Sequence, residues 1–226
     1  MNLNNLKIGS RLIIVLGSLV LTVLVVLGIF LYVQQKNQIE HDLEVRMEEQ
    51  VTDLANLINL QLDQNQNNVY TFLNVAHEEF YREPLERMDQ TVTFQATDQI
   101  TGAQHRVSLH EWKTGPFHLH QNHDFVDKIQ ELTGSTVTIF QKIDQGFLRI
   151  STNVRKSDGD RAIGTYIPNS SPVAKAVMNG QTFKGRAFVV DDYYLTAYEP
   201  IRVNGQIQGI LYVGVREKDL GFLKDI

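Results

Sequence analysis

The stretch Tyr194–Val215, YLTAYEPIRVNGQIQGILYVGV, decides the fold of this chain because it is typical of two strands joined by a tight turn. Its centre, Asn204-Gly205, is the strongest short-range signal for a two-residue β-hairpin, since both residues tolerate the positive φ angles that such a turn requires. The flanking segments, Tyr194–Val203 and Gln206–Val215, are each long enough to form a full strand. The sequence therefore predicts an antiparallel hairpin in this region.

Further strands are predicted upstream of the hairpin. The segments Ser135–Gln141 and Phe147–Val154 alternate in polarity and are rich in β-branched residues, and Lys184–Val190 adds another strand. Pro172–Met178 is predicted as a short helix, with proline near its start and Asn179-Gly180 at its end. About five strands in an antiparallel sheet, with helices on its faces, make an α+β architecture.

The region before these strands has a weaker pattern. Residues 84–123 are irregular, with two short strands predicted at Thr91–Gln95 and His105–Leu109. A helix is predicted over Asp124–Leu132, and Gly134 just beyond it is typical of a helix end.

A long helix is predicted over residues 36–82, which contain no glycine. Apolar residues recur there at steps of three and four, namely Ile39, Leu43, Met47, Val51, Leu54, Ile58, Leu62, Val69, Phe72, Leu73, Ala76 and Phe80. The part from Ile39 to Leu62 is nearly a heptad seam, which could pair with a second copy of the chain in a homodimer. The alternative is that the same face packs on the chain's own sheet.

The N-terminal region contains a candidate membrane span. Leu12–Val33 is a run of 22 residues without a charge, enough to cross a hydrocarbon core of about 30 Å. The alternative, a cleaved signal peptide, would have a shorter apolar region and a small-residue cleavage site. Lys7 and Arg11 precede the run, whereas three acids follow it within residues 40–44. The positive-inside rule therefore predicts a single-pass protein of the inner (cell) membrane, with a cytoplasmic N-terminus and residues 34–226 periplasmic or extracellular.

Composition and charge exclude several functions. Because 2 of the 21 basic residues and none of the 26 acidic residues precede residue 34, residues 34–226 carry a net charge of −7. Such an acidic domain is a poor match for nucleic acid. The chain has no cysteine, so disulfides and thiolate metal sites are excluded.

Several segments together resemble one family. They are TVTIFQ (Thr136–Gln141), RISTNV (Arg149–Val154), RAIGT (Arg161–Thr165), Gly180 with Gly185-Arg186-Ala187, YLTAYEPI (Tyr194–Ile201) and GILYVGV (Gly209–Val215). In this order they resemble Cache domains, and specifically the Cache 3/Cache 2 fusion type. The resemblance covers roughly residues 35–220. It implies a single Cache domain with a PAS-like antiparallel sheet, a long N-terminal helix packed on that sheet, and a ligand pocket between the sheet and its connecting loops.

The resemblance also implies a role in signalling. Such domains are extracytoplasmic inputs of chemoreceptors, histidine kinases and nucleotide cyclases. We expect a cytoplasmic N-terminus (1–11), a transmembrane helix (12–33), a stalk helix (34–82), a sensor domain (83–217) and the start of a continuation or a C-terminal tail (218–226). We expect a fragment of a longer receptor, or a gene product cut short, whose downstream signalling module is not in this chain; the alternative is a complete stand-alone sensor.

One basic residue within a predicted strand is the leading candidate for ligand binding. In strict alternation Phe147, Arg149 and Ser151 share one strand face. Arg149 is either an edge-exposed charge, a member of an internal ion pair, or a clamp for a ligand carboxylate, which suits its planar guanidinium. Because Cache and PAS-like sensors bind organic acids or amino acids, Arg149 and Ser151 are candidate ligand-binding residues.

The next candidates lie on or near the first strand of the C-terminal hairpin. Tyr194, Thr196 and Tyr198 alternate along it and present three hydrogen-bonding groups on one face, either towards a pocket or towards solvent. Arg161 and Asp192 lie in or beside turns and are further candidates, with Asp192 able to bind a ligand ammonium or simply to form the turn.

A histidine-rich segment is the only pattern that suggests a metal. His118, His120 and His123 could present imidazoles to zinc or another transition metal, but this spacing in a loop is a weak signal. No phosphate-binding glycine loop or nucleophile elbow is present in the sequence. We therefore expect a sensor of a small carboxylate, without enzymatic activity or a cofactor. The alternatives are a structural or protein-interaction ectodomain without a ligand, and, less favoured, a metal-dependent enzyme.

Overall fold

A computed structural model describes residues 8–220 of the chain. The predicted membrane orientation partly rests on Lys7 and the side chain of Arg11, which lie outside the described residues. The predicted C-terminal continuation partly rests on residues 221–226, which also lie outside them. The chain divides into two compact units, residues 1–59 and residues 60–226.

Three helices and nine strands make up the described chain. The helices are α1 (Ile8–Phe80), α2 (Asp124–Thr133) and α3 (Pro172–Met178), with a short 3-10 turn at Glu217–Asp219. The strands are β1 (Leu85–Asp98), β2 (Gln104–Thr114), β3 (Phe117–His118), β4 (Thr136–Ile143), β5 (Gly146–Thr152), β6 (Thr165–Pro168), β7 (Phe183–Val189), β8 (Asp192–Val203) and β9 (Gln206–Arg216).

All nine strands form a single mixed sheet, in the order β3-β2-β1-β6-β5-β4-β9-β8-β7. Neighbouring strands are antiparallel except β1 and β6, which pair in parallel over Thr97 and Asp98. The prediction of about five antiparallel strands therefore gives too few strands and misses the parallel pair. The difference arises in residues 84–123, where the predicted short strands are parts of the long hairpin β1–β2.

The predicted C-terminal hairpin is present. Val203 pairs with Gln206, and the two turn residues between them have φ angles of 50° at Asn204 and 77° at Gly205. A register shift between Ile201 and Arg202 then moves the rest of β8 by one residue against β9. As a consequence, Tyr198 lies opposite Tyr212.

The sheet has a hydrophobic core on each face. The larger core contains the C-terminal part of α1, helix α2 and residues of the β1–β2 hairpin, including Leu73, Phe80, Phe125 and Trp112. The smaller core lies on the opposite face and contains buried residues of α3 together with aromatic residues from β4, β5, β8 and β9. The α+β class with a long helix packed on the sheet is therefore confirmed.

Helix α1 also contains the candidate membrane span within residues 1–59. In the described chain it is the single helix long and apolar enough to cross a membrane, and none of its most apolar window is buried. Farther along, the seam residues Ile39, Leu43, Met47 and Val51 are exposed as well. The apolar residues of this unit are therefore exposed.

Candidate functional site

The centre of the candidate site is a buried arginine on β5. Arg149 is 1% exposed, and its guanidinium carbon lies 4.9 Å from the centre of the Phe140 ring on the neighbouring strand. Its Nη1 donates a hydrogen bond to the Thr165 hydroxyl, whereas its Nε has no hydrogen-bond partner. A buried charge of this kind is costly unless it is paired.

No carboxylate of residues 8–220 forms a salt bridge with this arginine. Among the salt bridges of residues 8–220, none includes Arg149. Burial lowers the pKa of Arg149, and the neighbouring tyrosines Tyr198, Tyr212 and Tyr194 only partly oppose this shift. Within the described chain, Arg149 is therefore neither exposed at a sheet edge nor a member of a salt bridge, and its role as a clamp for a ligand stays a prediction.

Three tyrosines share the sheet face of Arg149. Tyr198 and Tyr212 lie opposite each other on β8 and β9, with their ring centres 4.7 Å apart, and Tyr194 lies on the same face of β8. Burial raises the pKa of Tyr198 and that of Tyr212, so both hydroxyls remain protonated. The site thus offers a guanidinium and neutral hydroxyl groups to a negatively charged ligand.

A glycine makes room for one of these rings. A Cβ atom placed on Gly214 would lie 2.1 Å from the Tyr212 hydroxyl oxygen. That hydroxyl lies 3.3 Å from the Thr136 hydroxyl of β4. The absence of a side chain at residue 214 is therefore required for the Tyr212 side chain to lie along the sheet.

Ser151 does not join the site, although strict alternation predicts that it shares a face with Arg149. A β-bulge opposite Ile139 and Phe140 makes Phe140 pair with Arg149 and Ile139 pair with Ser151. Ile139 belongs to the larger core on the other face, and the Ser151 hydroxyl donates to the Asn122 carbonyl at 2.6 Å. The extra residue, Ile150, reverses the direction of Ser151.

Arg161 and Asp192 are both engaged elsewhere. Arg161 donates from both Nη atoms to the two carboxylate oxygens of Asp127, each at 2.8 Å. Asp192 lies 2.6 Å from the Lys218 ammonium. The structure therefore does not bring either residue together with Arg149.

Thr196 lies between Tyr194 and Tyr198 but already has a partner. Its hydroxyl donates to the Gly185 carbonyl on β7 at 2.6 Å. The predicted polar face of β8 is buried on the smaller core and does not meet solvent, as Tyr194, Thr196 and Tyr198 are all buried.

The sequence prediction missed Phe140, Thr165 and Tyr212. Phe140 and Tyr212 lie in apolar strands, where an aromatic residue is typical of a core, and Thr165 follows a turn. Alternation counted from the Asn204-Gly205 turn without a bulge would have placed Leu211 opposite Tyr198. No local pattern in the sequence therefore identifies them as neighbours of Arg149.

A surface cleft of about 290 Å³ reaches this face of the sheet at Tyr198. Its walls include Ile167, Val173, Phe183, Ala187 and Phe188. No acidic residue lines it, and its one cation, Arg186, is paired with Glu217 through contacts of 2.6 and 3.0 Å. The cleft is thus mainly apolar where it meets Tyr198.

The predicted metal candidates are not brought together. His118 Nδ1 lies 2.9 Å from a Glu111 carboxylate oxygen, and His123 lies at the start of α2 with its Nδ1 buried and unpaired. In His120, Nδ1 accepts from the Trp112 backbone N–H and Nε2 lies 2.8 Å from Gln141 Oε1. Within residues 8–220, no group of three potential metal ligands is arranged to hold an ion.

The buried His120 should make the stability of the protein depend on pH. Burial lowers its pKa, and the hydrogen bond to Gln141 and the charge of Glu111 only partly oppose this. Because the unfolded histidine has a pKa of about 6.5, the unfolded state takes up the proton first as the pH falls. Stability should therefore be full above about pH 7 and decline below about pH 6.5.

Thermal unfolding of the full chain between pH 5 and pH 7.5 measures this effect. The His120→Gln variant should show a smaller decline than the wild type. Burial also lowers the pKa of His123, so this residue should account for part of the remaining decline in stability. An identical pH profile in His120→Gln would show that His120 does not titrate in this way.

The comparison with known proteins gives one finding. Residues 33–225 match the family model described as the Cache 3/Cache 2 fusion domain. The searches among curated proteins and among solved structures found no significant match.

Proposed function

The chain belongs to the Cache 3/Cache 2 fusion family, and on that premise we propose that it binds a small organic acid as the input signal of a receptor. Cache domains are non-catalytic, extracytoplasmic sensor domains that bind small ligands. In this proposal the ligand is an organic acid, and Arg149 binds it together with Tyr194, Thr196 and Tyr198.

The single observation that supports this ligand class is the unpaired charge of Arg149. Its guanidinium is buried next to Phe140 with an unpaired Nε and no carboxylate partner in residues 8–220. A ligand carboxylate would supply the missing charge and the missing acceptor together. Tyr198 lines the surface cleft and lies close enough to Arg149 for the guanidinium to oppose the rise in its pKa, so in this proposal the ligand enters past Tyr198.

The surroundings favour an organic acid over an amino acid. An amino acid would bring an ammonium group that needs an acidic partner when it is buried. The cleft has no acidic lining, and Asp192, the predicted ammonium partner, already pairs with Lys218. Apolar walls suit the hydrocarbon part of a carboxylate without an amino group.

Matched pairs of ligands test this proposal. We expect organic acids to raise the unfolding temperature of the full chain in nanodiscs, and the amino acids of the same carbon skeleton to leave it unchanged. Butyrate against 2-aminobutyrate and succinate against aspartate are suitable pairs. A response to the amino acids alone would contradict the proposed ligand class, and no response to any carboxylate would favour a structural role without a ligand.

Strand β8 provides a physical link from the proposed site to helix α1. Gln66 Nε2 donates to the Thr196 carbonyl at 3.1 Å, and His77 Nδ1 lies 2.9 Å from a Glu199 carboxylate oxygen. A ligand that binds Tyr194 and Tyr198 on one face of β8 would act on these helix contacts. It can shift the helix only through a difference in affinity for two arrangements of the domain.

We also propose that Leu12–Val33 anchors the protein in the inner membrane, with the N-terminus in the cytoplasm and residues 34–226 outside. Its length, its composition and its exposed apolar surface support this. The proposed boundaries remain 1–11, 12–33, 34–82, 83–217 and 218–226.

The stalk should pair with a second copy of the chain in a parallel homodimer. Ile39, Leu43, Met47, Val51 and Leu54 are exposed along one seam, and burial of each would contribute about 1.5–3 kcal/mol. Single cysteines placed from residue 39 to residue 58 should crosslink with a period near 3.5. The chain has no native cysteine, so the background is clean. Uniform crosslinking at seam and off-seam positions such as His41 would count against a specific pair.

A further inference from the structure

We propose a second ligand site, in a groove between the β1–β2 hairpin and the β8–β9 turn. The groove has a volume of about 420 Å³, which is within the usual range for small-molecule sites of roughly 300–1,000 Å³. It shares no lining residue with the cleft that leads to Tyr198. The chemistry of its lining fits an anion that carries several hydroxyl groups, such as a sugar acid or a sugar phosphate.

The charge of the groove is the first reason. Arg87 on β1 and Lys142 on β4 line it, and no acidic residue does. Neither side chain forms a salt bridge with a residue of the described chain. In a region with a net charge of −7, two cations without a salt bridge to a described residue form a local site for an anion.

The aromatic wall of the groove is the second reason. Trp112 lines the groove but is only 3% exposed, so its side chain closes part of the groove wall and belongs mainly to the core. The ring lies close to Gly209, where an added Cβ would be 2.9 Å from the nearest ring atom. An indole fixed in this way makes this part of the wall apolar, with a narrow accessible edge for the C–H groups of a ligand.

The polar groups of the groove are the third reason. Gln141 is held by two contacts, since its Nε2 donates to the His110 carbonyl at 3.3 Å and its Oε1 lies 2.8 Å from His120 Nε2. Asn204, Gln206 and Gln208 add further amides. These three amides offer both donors and acceptors, which is the combination that hydroxyl groups require, whereas the amide of Gln141 is already engaged and fixes the wall beside them. An anion with neighbouring hydroxyls uses all of these groups, whereas a simple carboxylate uses the cations alone.

The groove is connected to the end of helix α1. The Thr114 hydroxyl at the end of β2 donates to the Phe80 carbonyl at 3.0 Å, and the groove lining begins at Leu85. An occupant of the groove would therefore hold the β1–β2 hairpin against the residues that follow the helix.

The test uses the full chain in nanodiscs and four probes, namely glucuronate, glucose 6-phosphate, glucose and inorganic phosphate. Calorimetric titration should detect binding of glucuronate or glucose 6-phosphate and weaker binding, or none, of glucose and phosphate. Which of the two anionic sugars binds distinguishes a sugar acid from a sugar phosphate. The double variant Arg87→Ala/Lys142→Ala should lose at least about tenfold in affinity.

Two controls make the result specific. Arg106→Ala removes an exposed cation of β2 that does not line the groove, and Arg149→Ala removes the first site. Both should leave the affinity for the anionic sugar unchanged, so failure of the first site is distinguishable from failure of the second. The proposal is overturned if neither anionic sugar binds, if phosphate alone binds equally well, or if the double variant binds like the wild type.

Discussion

Replacing Arg149 by methionine should raise the stability of the ligand-free protein and remove its response to carboxylates. The guanidinium is fully buried without a carboxylate partner, so the wild type bears the desolvation cost of a charge. Methionine is unbranched, has a similar length and fills irregular apolar space. We expect a gain of about 1–3 kcal/mol in the free energy of unfolding, after the lost contacts with Thr165 and Phe140 are taken into account.

Ligand binding should change in the opposite direction. A charge-assisted bond to a carboxylate contributes about 1.5–3 kcal/mol, so Arg149→Met should weaken binding by roughly tenfold to a hundredfold. Chemical denaturation measures the stability, and calorimetric titration with the organic acid that stabilises the wild type measures the binding. The opposite signs of the two effects are the signature of a residue retained for function at the expense of stability.

Arg161→Met is the matched control. Arg161 donates to both carboxylate oxygens of Asp127, so its removal leaves Asp127 without this partner. This variant should be less stable than the wild type and should bind the ligand with unchanged affinity. If Arg149→Met behaved like Arg161→Met in both measurements, the Arg149 guanidinium would be structural and the proposed site would be wrong.

Phe80→Ala should cause the largest loss of stability among the variants considered. Phe80 is the last residue of α1, is 0% exposed, and packs edge-on against Phe125 with ring centres 5.7 Å apart. Truncation of a buried phenylalanine costs about 3–5 kcal/mol because it leaves a cavity. Since Trp112 is the only tryptophan and belongs to the same core, its fluorescence reports the unfolding of this region.

A second residue of the same helix provides the comparison. Leu60 is 54% exposed, so Leu60→Ala should change the stability by no more than about 0.5 kcal/mol. The contrast tests whether the C-terminal part of α1 belongs to the core of the sensor domain. Equal effects of the two substitutions would show that α1 is not packed on the sheet at Phe80.

The sequence by itself determined the features that depend on local periodicity. Residue type and spacing predict the turn at Asn204-Gly205 and the burial of Phe80 on a helix face. They also predict that Tyr194, Thr196 and Tyr198 lie on one face of their strand, and Leu195 and Ala197 on the other. Each depends on interactions within a few residues along the chain, and so each is visible in a short window.

Only the tertiary structure decided which residues surround Arg149. Two β-bulges, one at Ile150 and one near Ile201, shift the register by one residue, and each shift changes which side chains meet across strands. The first removes Ser151 from the site, and the second places Tyr212, not Leu211, opposite Tyr198. A bulge results from the balance of packing on both faces of a sheet, so residues distant along the chain set its position and no local pattern indicates it.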